Sequence, residues 1–144
     1  MKRFSGIIAI AVVIIATLAG CNNKPPFVRL AAAVDSCNVA MQQNMPPFAT
    51  SATVSYDEVT NAVKYEFTVP GEVDKEMFGA SAPMLQSQFV DIIAQSNDFN
   101  IAGLITEAKS NMLLDFKGSE GGEYEIMVEN PTIAAAYQKA SEAK

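Results

Sequence analysis

The sequence predicts an α+β domain: a four-stranded antiparallel sheet built from two hairpins, with helices on one face, in the order αββαββα. Three observations carry this. The apolar period switches between about 3.6 and 2 along the chain, each stretch of period two is broken by a short turn, and every strand so formed has one apolar and one polar face.

The first helix runs from Val28 to about Gln43, with Leu30, Ala33, Val34, Cys37 and Met41 on one face and Pro46 and Pro47 ending it. From Ala52 the period becomes two. Val54 and Tyr56 form one strand, a turn follows near Thr60 and Asn61, and "AVKYEFTV" places Val63, Tyr65, Phe67 and Val69 on one face. Pro70 and Gly71 close this hairpin. A second helix begins at Asp74 or Ser81, either of which can cap it, and carries Leu85, Phe89, Ile92, Ile93 and Ser96 on one face. "NIAGLITEAKS" adds a turn or short helix through Ile101, Leu104, Ile105 and Ala108. The second hairpin places Met112, Leu114 and Phe116 inward, turns at "KGSEGG", and returns with Tyr124, Ile126 and Val128. Asn130 and Pro131 are the cap and first residue of a last helix reaching about Ala140. At an offset of 59 residues "KYEFTV" lies on "EYEIMV", which suggests a tandem αββ duplication.

The start of the chain defines location. Met1, Lys2 and Arg3 precede an apolar run from Phe4 to Leu18, then Ala19, Gly20 and Cys21. The run is shorter than the ~20 apolar residues of a membrane-spanning helix and has the order of a secretory leader. Cys21 could serve as half of a disulfide, as a core thiol or as a lipid attachment point. Leu18-Ala19-Gly20-Cys21 resembles the lipobox of bacterial lipoproteins. That resemblance implies cleavage between Gly20 and Cys21, covalent lipid on Cys21 as the only added group, and a membrane anchor through several acyl chains. Asn22, Asn23 and Lys24 carry neither an inner-membrane retention aspartate nor an acidic export cluster, so the resemblance favours the outer membrane with the domain facing the periplasm. The expected organisation is a signal peptide over 1–20, a lipidated tether over 21–27 and one domain over 28–144.

The mature part has 124 residues and a formal charge of −8, because the leader carries Lys2 and Arg3 and no acids. An acidic domain repels nucleic acid and anionic headgroups, so neither is expected as a partner. Cys37 is then a lone thiol, expected in the core or, less simply, in an intermolecular disulfide.

Little in the chain points to catalysis. It has no histidine, which removes the commonest general base, the Ser/His/Asp triad and most zinc sites. No nucleophile elbow or phosphate-cradling loop is present, and "SNDFN" lacks calcium-loop spacing. Glu123 and Glu125 could act as an acid/base pair or, with Glu129, make a weak open calcium site, but both point to solvent and neither use is expected. Tyr56, Tyr65, Phe67, Phe116 and Tyr124 fall on the apolar strand face as core residues.

The expected function is therefore non-catalytic, without a metal or cofactor: a lipid-anchored envelope domain that binds a protein partner. Its contact surface would be the open sheet face, with Lys64, Glu66, Thr68, Leu113, Asp115, Glu123, Glu125 and Met127, or the hairpin tips at 57–62 and 117–122. Tandem αββ units with a free face are similar in outline to the β-lactamase-inhibitor protein fold, which adds inhibition of a hydrolase as a special case. The alternative is a carrier or receptor for a small apolar ligand, with Met41, Met84 and Met112 lining an adaptable pocket between sheet and helices.

Overall fold

A computed structural model describes residues 24–96 and 98–144, so the leader, Gly20 and Cys21 lie outside the described residues. Helix α1 spans Pro26–Gln43, strands β1 and β2 span Ser51–Asp57 and Ala62–Val69, and helices α2 and α3 span Lys75–Gln95 and Ile101–Ala108. Strands β3 and β4 at Asn111–Gly118 and Glu123–Val128, then helix α4 at Asn130–Glu142, complete the chain. Among the described residues no helix is long and apolar enough to cross a membrane.

Local chemistry sets the boundaries. Pro26 opens α1, where a missing N–H costs nothing. Asp74, not Ser81, starts α2: its carboxylate accepts from the backbone N–H of Glu76 at 2.8 Å and of Met77 at 3.2 Å. Asn130 does not cap α4, which starts one residue earlier than expected. Its side chain instead donates to the carbonyls of Ile105 and Ser110, at 3.0 and 2.8 Å, tying the start of α4 to the end of α3.

The sheet has the order β1-β2-β3-β4, with β1–β2 and β3–β4 antiparallel and β2–β3 parallel. The expected antiparallel sheet is thus corrected to a mixed one. The crossover through α2 and α3 returns the chain to the end where β2 began, and such a return makes neighbours parallel. Alternation within β2 and β3 resembles antiparallel strands because no helix among the described residues covers their outer face, whereas parallel strands are ordinarily covered on both faces.

All four strands turn the same face to the helices. Val54, Tyr65, Leu114 and Ile126 form one cross-strand row, and Ala52, Phe67, Phe116 and Tyr124 another. Phe67 is the centre of this layer, with ring contacts to Phe48, Tyr65, Phe89 and Phe116 at 5.3 to 6.4 Å. The expected inward aromatics are all there, with Tyr56 and Tyr124 only partly buried. The 59-residue offset does not extend to whole units. It carries Tyr65 and Phe67 onto Tyr124 and Ile126, all inward, yet carries Val54 and Tyr56 onto Leu113 and Asp115 of the outer face.

Both edges of the sheet differ from what periodicity suggests. The N–H of Val54 donates to Asn38 Oδ1 at 2.9 Å, and Gln42 donates to the carbonyl of Ala52, so α1 side chains cover the outer edge of β1. Covering an edge suppresses pairing with other chains. On β4 the exposed Glu123 and Glu125 serve the same end through charge.

Candidate functional site

The strand registers collect all eight expected surface residues on the outer face, in three cross-strand rows. Glu66, Asp115 and Glu125 form the middle row, flanked by Lys64, Leu113 and Met127 on one side and by Thr68, Lys117 and Glu123 on the other. Met127, Glu123 and Glu125 are exposed, and Lys64, Glu66, Thr68 and Leu113 are half-buried.

Asp115 departs from this pattern, being fully buried beneath its neighbours. Glu66 and Asp115 stand directly opposite each other on β2 and β3, a repulsive placement for two carboxylates. Two diagonal lysines compensate. Lys64 Nζ lies 3.2 Å from both Glu66 Oε2 and Asp115 Oδ2, and Lys117 Nζ lies 3.2 Å from Glu66 Oε2 and 3.7 Å from Asp115 Oδ2. The result is a closed square of alternating charge. Both lysines are partly exposed, so water screens their pairs with Glu66 and these add little to stability. What the square provides is a fixed arrangement of charge.

The Lys117 and Lys64 ammoniums hold the Glu66 carboxyl below its ordinary value, and Glu66 in turn raises both lysines. Glu123 shifts the other way. Its carboxyl sits against that of Asp115, to which its protonated form can donate a hydrogen bond and by which its charged form is repelled, and both effects raise its pKa despite full exposure. Residue spacing alone did not reveal that neighbour, because it faces Glu123 from the adjacent strand.

A sign follows for pH. A carboxyl whose folded pKa is raised contributes stability below its unfolded value, and that contribution is lost as pH rises through the folded value. Glu123→Gln removes the repulsion present at neutral pH, so we expect the variant to melt higher than the parent near pH 7 in metal-free buffer. Near pH 4 the advantage should vanish. Parallel melting curves showing the same advantage at both pH values would contradict the carboxyl contact.

The two hairpin tips are unequal as contact surfaces. At the first, Asp57 accepts from the Val59 N–H and the Thr60 hydroxyl, both at 2.9 Å, leaving Val59 95% exposed. The second is bound to the strand-exit segment: Val73 N–H donates to the Gly121 carbonyl, Ser119 N–H to Val69 and Glu120 N–H to Gly71, at 2.9 to 3.0 Å. Its backbone is already engaged.

On the helix side α1 packs on β1 and α3, whereas α2 packs on β4, α3 and α4. Between α1 and α2 lies a furrow of about 260 Å³ lined by Cys37, Met41, Tyr65, Phe89, Ile92 and Phe99, among others. Ile92 was expected in the core but is 65% exposed, and Ser96 is exposed as well. The apolar stripe of α2 is wider than its buried seam, Val90, Ile93 and Ala94, and the excess borders the furrow. Of the three methionines expected in an apolar pocket, Met112 is buried, Met41 is partly buried at the furrow and Met84 is exposed on the outside of α2. Cys37 is half-buried there; burial pushes its thiol up, partly offset by the Tyr65 hydroxyl, which suits neither nucleophile nor metal ligand.

A polar cluster at one end of the sheet escaped sequence reasoning. Asn61, with φ at 50°, accepts at Oδ1 from Tyr56 at 2.7 Å and from the buried Ser110 at 2.6 Å, and its amide donates to the carbonyl of Lys109 at 3.1 Å. These groups satisfy one another, so the cluster joins the first hairpin to α3. The chain matches no known protein family, and no curated protein or solved structure shows significant similarity to it.

Proposed function

We propose that the protein is a lipid-anchored module of the bacterial cell envelope that binds a protein partner through its open sheet face and catalyses no reaction. The anchor is the lipid on Cys21, expected from the lipobox; α1 begins five residues later, at Pro26, so the domain hangs close to the bilayer. The observation that carries the reading is the outer face of the central parallel pair, which no helix among the described residues covers. Strands paired in this way are ordinarily covered on both sides, and here the outer side presents a fixed charge pattern beside the exposed Met127 and the half-buried Leu113. The charge square at the centre is balanced while glutamates line β4, which calls for a partner with a basic rim on that side. A hydrolase held in an inhibited state is one partner of that kind. An outer-membrane site facing the periplasm would place the module among such proteins.

A second reading has its own observation. The furrow between α1 and α2 is apolar and bordered by exposed Ile92 and Phe99, which suits a small apolar ligand.

The test is native mass spectrometry on protein extracted from its envelope in mild detergent after brief crosslinking. The expected result is a discrete added protein mass that disappears in Met127→Asp, a surface change that places a charge on the apolar corner of the face. A protein mass insensitive to Met127→Asp would remove the face from the contact. A small apolar mass that survives Met127→Asp would favour the furrow, and a bare monomer in every sample would overturn the partner.

A further inference from the structure

Two ammoniums on the open face, Lys64 and Lys117, are set among four carboxylates, Glu66, Asp115, Glu123 and Glu125. The excess is two negative charges. It is concentrated at β4, because both lysines are engaged with Glu66 on the other side of Asp115. Carboxylate oxygens of Asp115, Glu123 and Glu125 lie within 4.8 Å of one another.

Exposed acids alone would define nothing, but Asp115 is not exposed. Its side chain has no accessible surface, and among the described residues no group is found donating a hydrogen bond to either of its oxygens by geometry. The Lys64 and Lys117 ammoniums, at 3.2 and 3.7 Å, both meet Oδ2, whereas Oδ1 has no hydrogen-bond partner among the described residues. A buried carboxylate oxygen with no donor is costly, and it belongs here to the same cluster as two exposed carboxylates. With two ammoniums set against four carboxylates, the cluster is short of two positive charges.

We infer that Asp115, Glu123 and Glu125 form a site for a hard divalent cation of the calcium class on the outer face of β3 and β4. Two oxygens on one ion can be no farther apart than twice the metal–oxygen distance, about 5.2 Å for calcium, and the three carboxylate oxygens stay inside that bound. Three carboxylates on a half-open face leave the remaining positions to water, which calcium's irregular coordination accepts. The cation reaches Glu123 and Glu125 from solvent and takes Asp115 as its buried floor. It also answers why a glutamate of β4 sits against an aspartate of β3.

This inference concerns ion binding alone, so it can fail while the partner reading stands. The full chain, in non-ionic detergent at low ionic strength, is titrated with calcium chloride and separately with magnesium chloride in a calorimeter. One saturable calcium equivalent is expected, with a dissociation constant on the order of 10⁻⁴ to 10⁻³ M, as for open oxygen sites, and weaker magnesium binding. Glu125→Gln should weaken calcium about tenfold or more, at roughly one lost carboxylate charge. Glu58→Gln, on the distant first hairpin, should leave it unchanged. Absence of saturable calcium binding overturns the site, and so does binding that Glu125→Gln leaves intact. Asp115→Asn gives a second reading where it folds; Glu125 is exposed and its variant decides the matter where it does not.

Discussion

Phe67→Ala is expected to lower the free energy of unfolding by about 3–5 kcal/mol, the range for deleting a buried aromatic ring. Phe67 is 1% exposed and lies where four other rings meet, so the vacated space is bounded by aromatic groups that cannot collapse into it without leaving their own contacts. Phe48 and Phe89 lean on it from the loop after α1 and from α2, and their loosening would open the furrow as well. With total stabilities of about 5–15 kcal/mol, a loss of this size brings the domain near the folding threshold. Urea denaturation followed by far-ultraviolet circular dichroism measures it. A loss below about 1 kcal/mol would mean that the aromatic layer is not the keystone of the core.

Gly122→Ala is the second large effect, and its neighbour supplies the control. Gly122 has φ at 80°, and a Cβ there would come within 2.3 Å of the Val73 carbonyl oxygen. Gly121 has φ at 127° but no atom within 4 Å of the corresponding position. Alanine at 121 meets only the unfavourable backbone conformation, about 1–3 kcal/mol; alanine at 122 must in addition push the 71–73 segment off the hairpin. The expected order is a clearly greater loss at 122 than at 121, together with faster proteolysis near Val73. Equal losses at the two positions would show that the contact between turn and strand exit yields at no cost.

How far the sequence reached depends on whether a feature belongs to one element or to several. The inward rows of the sheet and the eight outer-face residues follow from alternation within single segments, and the capping of α2 at one of two candidate residues follows from residue type. Alternation records which side of a strand meets oil and which meets water, and it does so whatever the neighbouring strand is doing. It does not record direction. The parallel pairing of β2 with β3 depends on where a long crossover delivers the chain, and nothing in "YEF" or "LDF" marks it.

The candidate site divides along the same line. That Asp115, Glu123 and Glu125 would share a polar face was legible from period two. That Asp115 would be fully buried there was not, because its burial comes from long side chains on β2 and β4 that reach it only once the registers are set. The furrow has the same origin. The stripe on α2 reads as core throughout, and only the partners chosen by α1 and α2 leave Ile92 and Phe99 at an opening. Residue type and local period determined the elements, their buried sides and the absence of the commonest catalytic groups. Strand direction, the charge square and the contact between carboxyls were decided by tertiary pairing, since electrostatic and packing energies depend on distances between segments far apart in the chain.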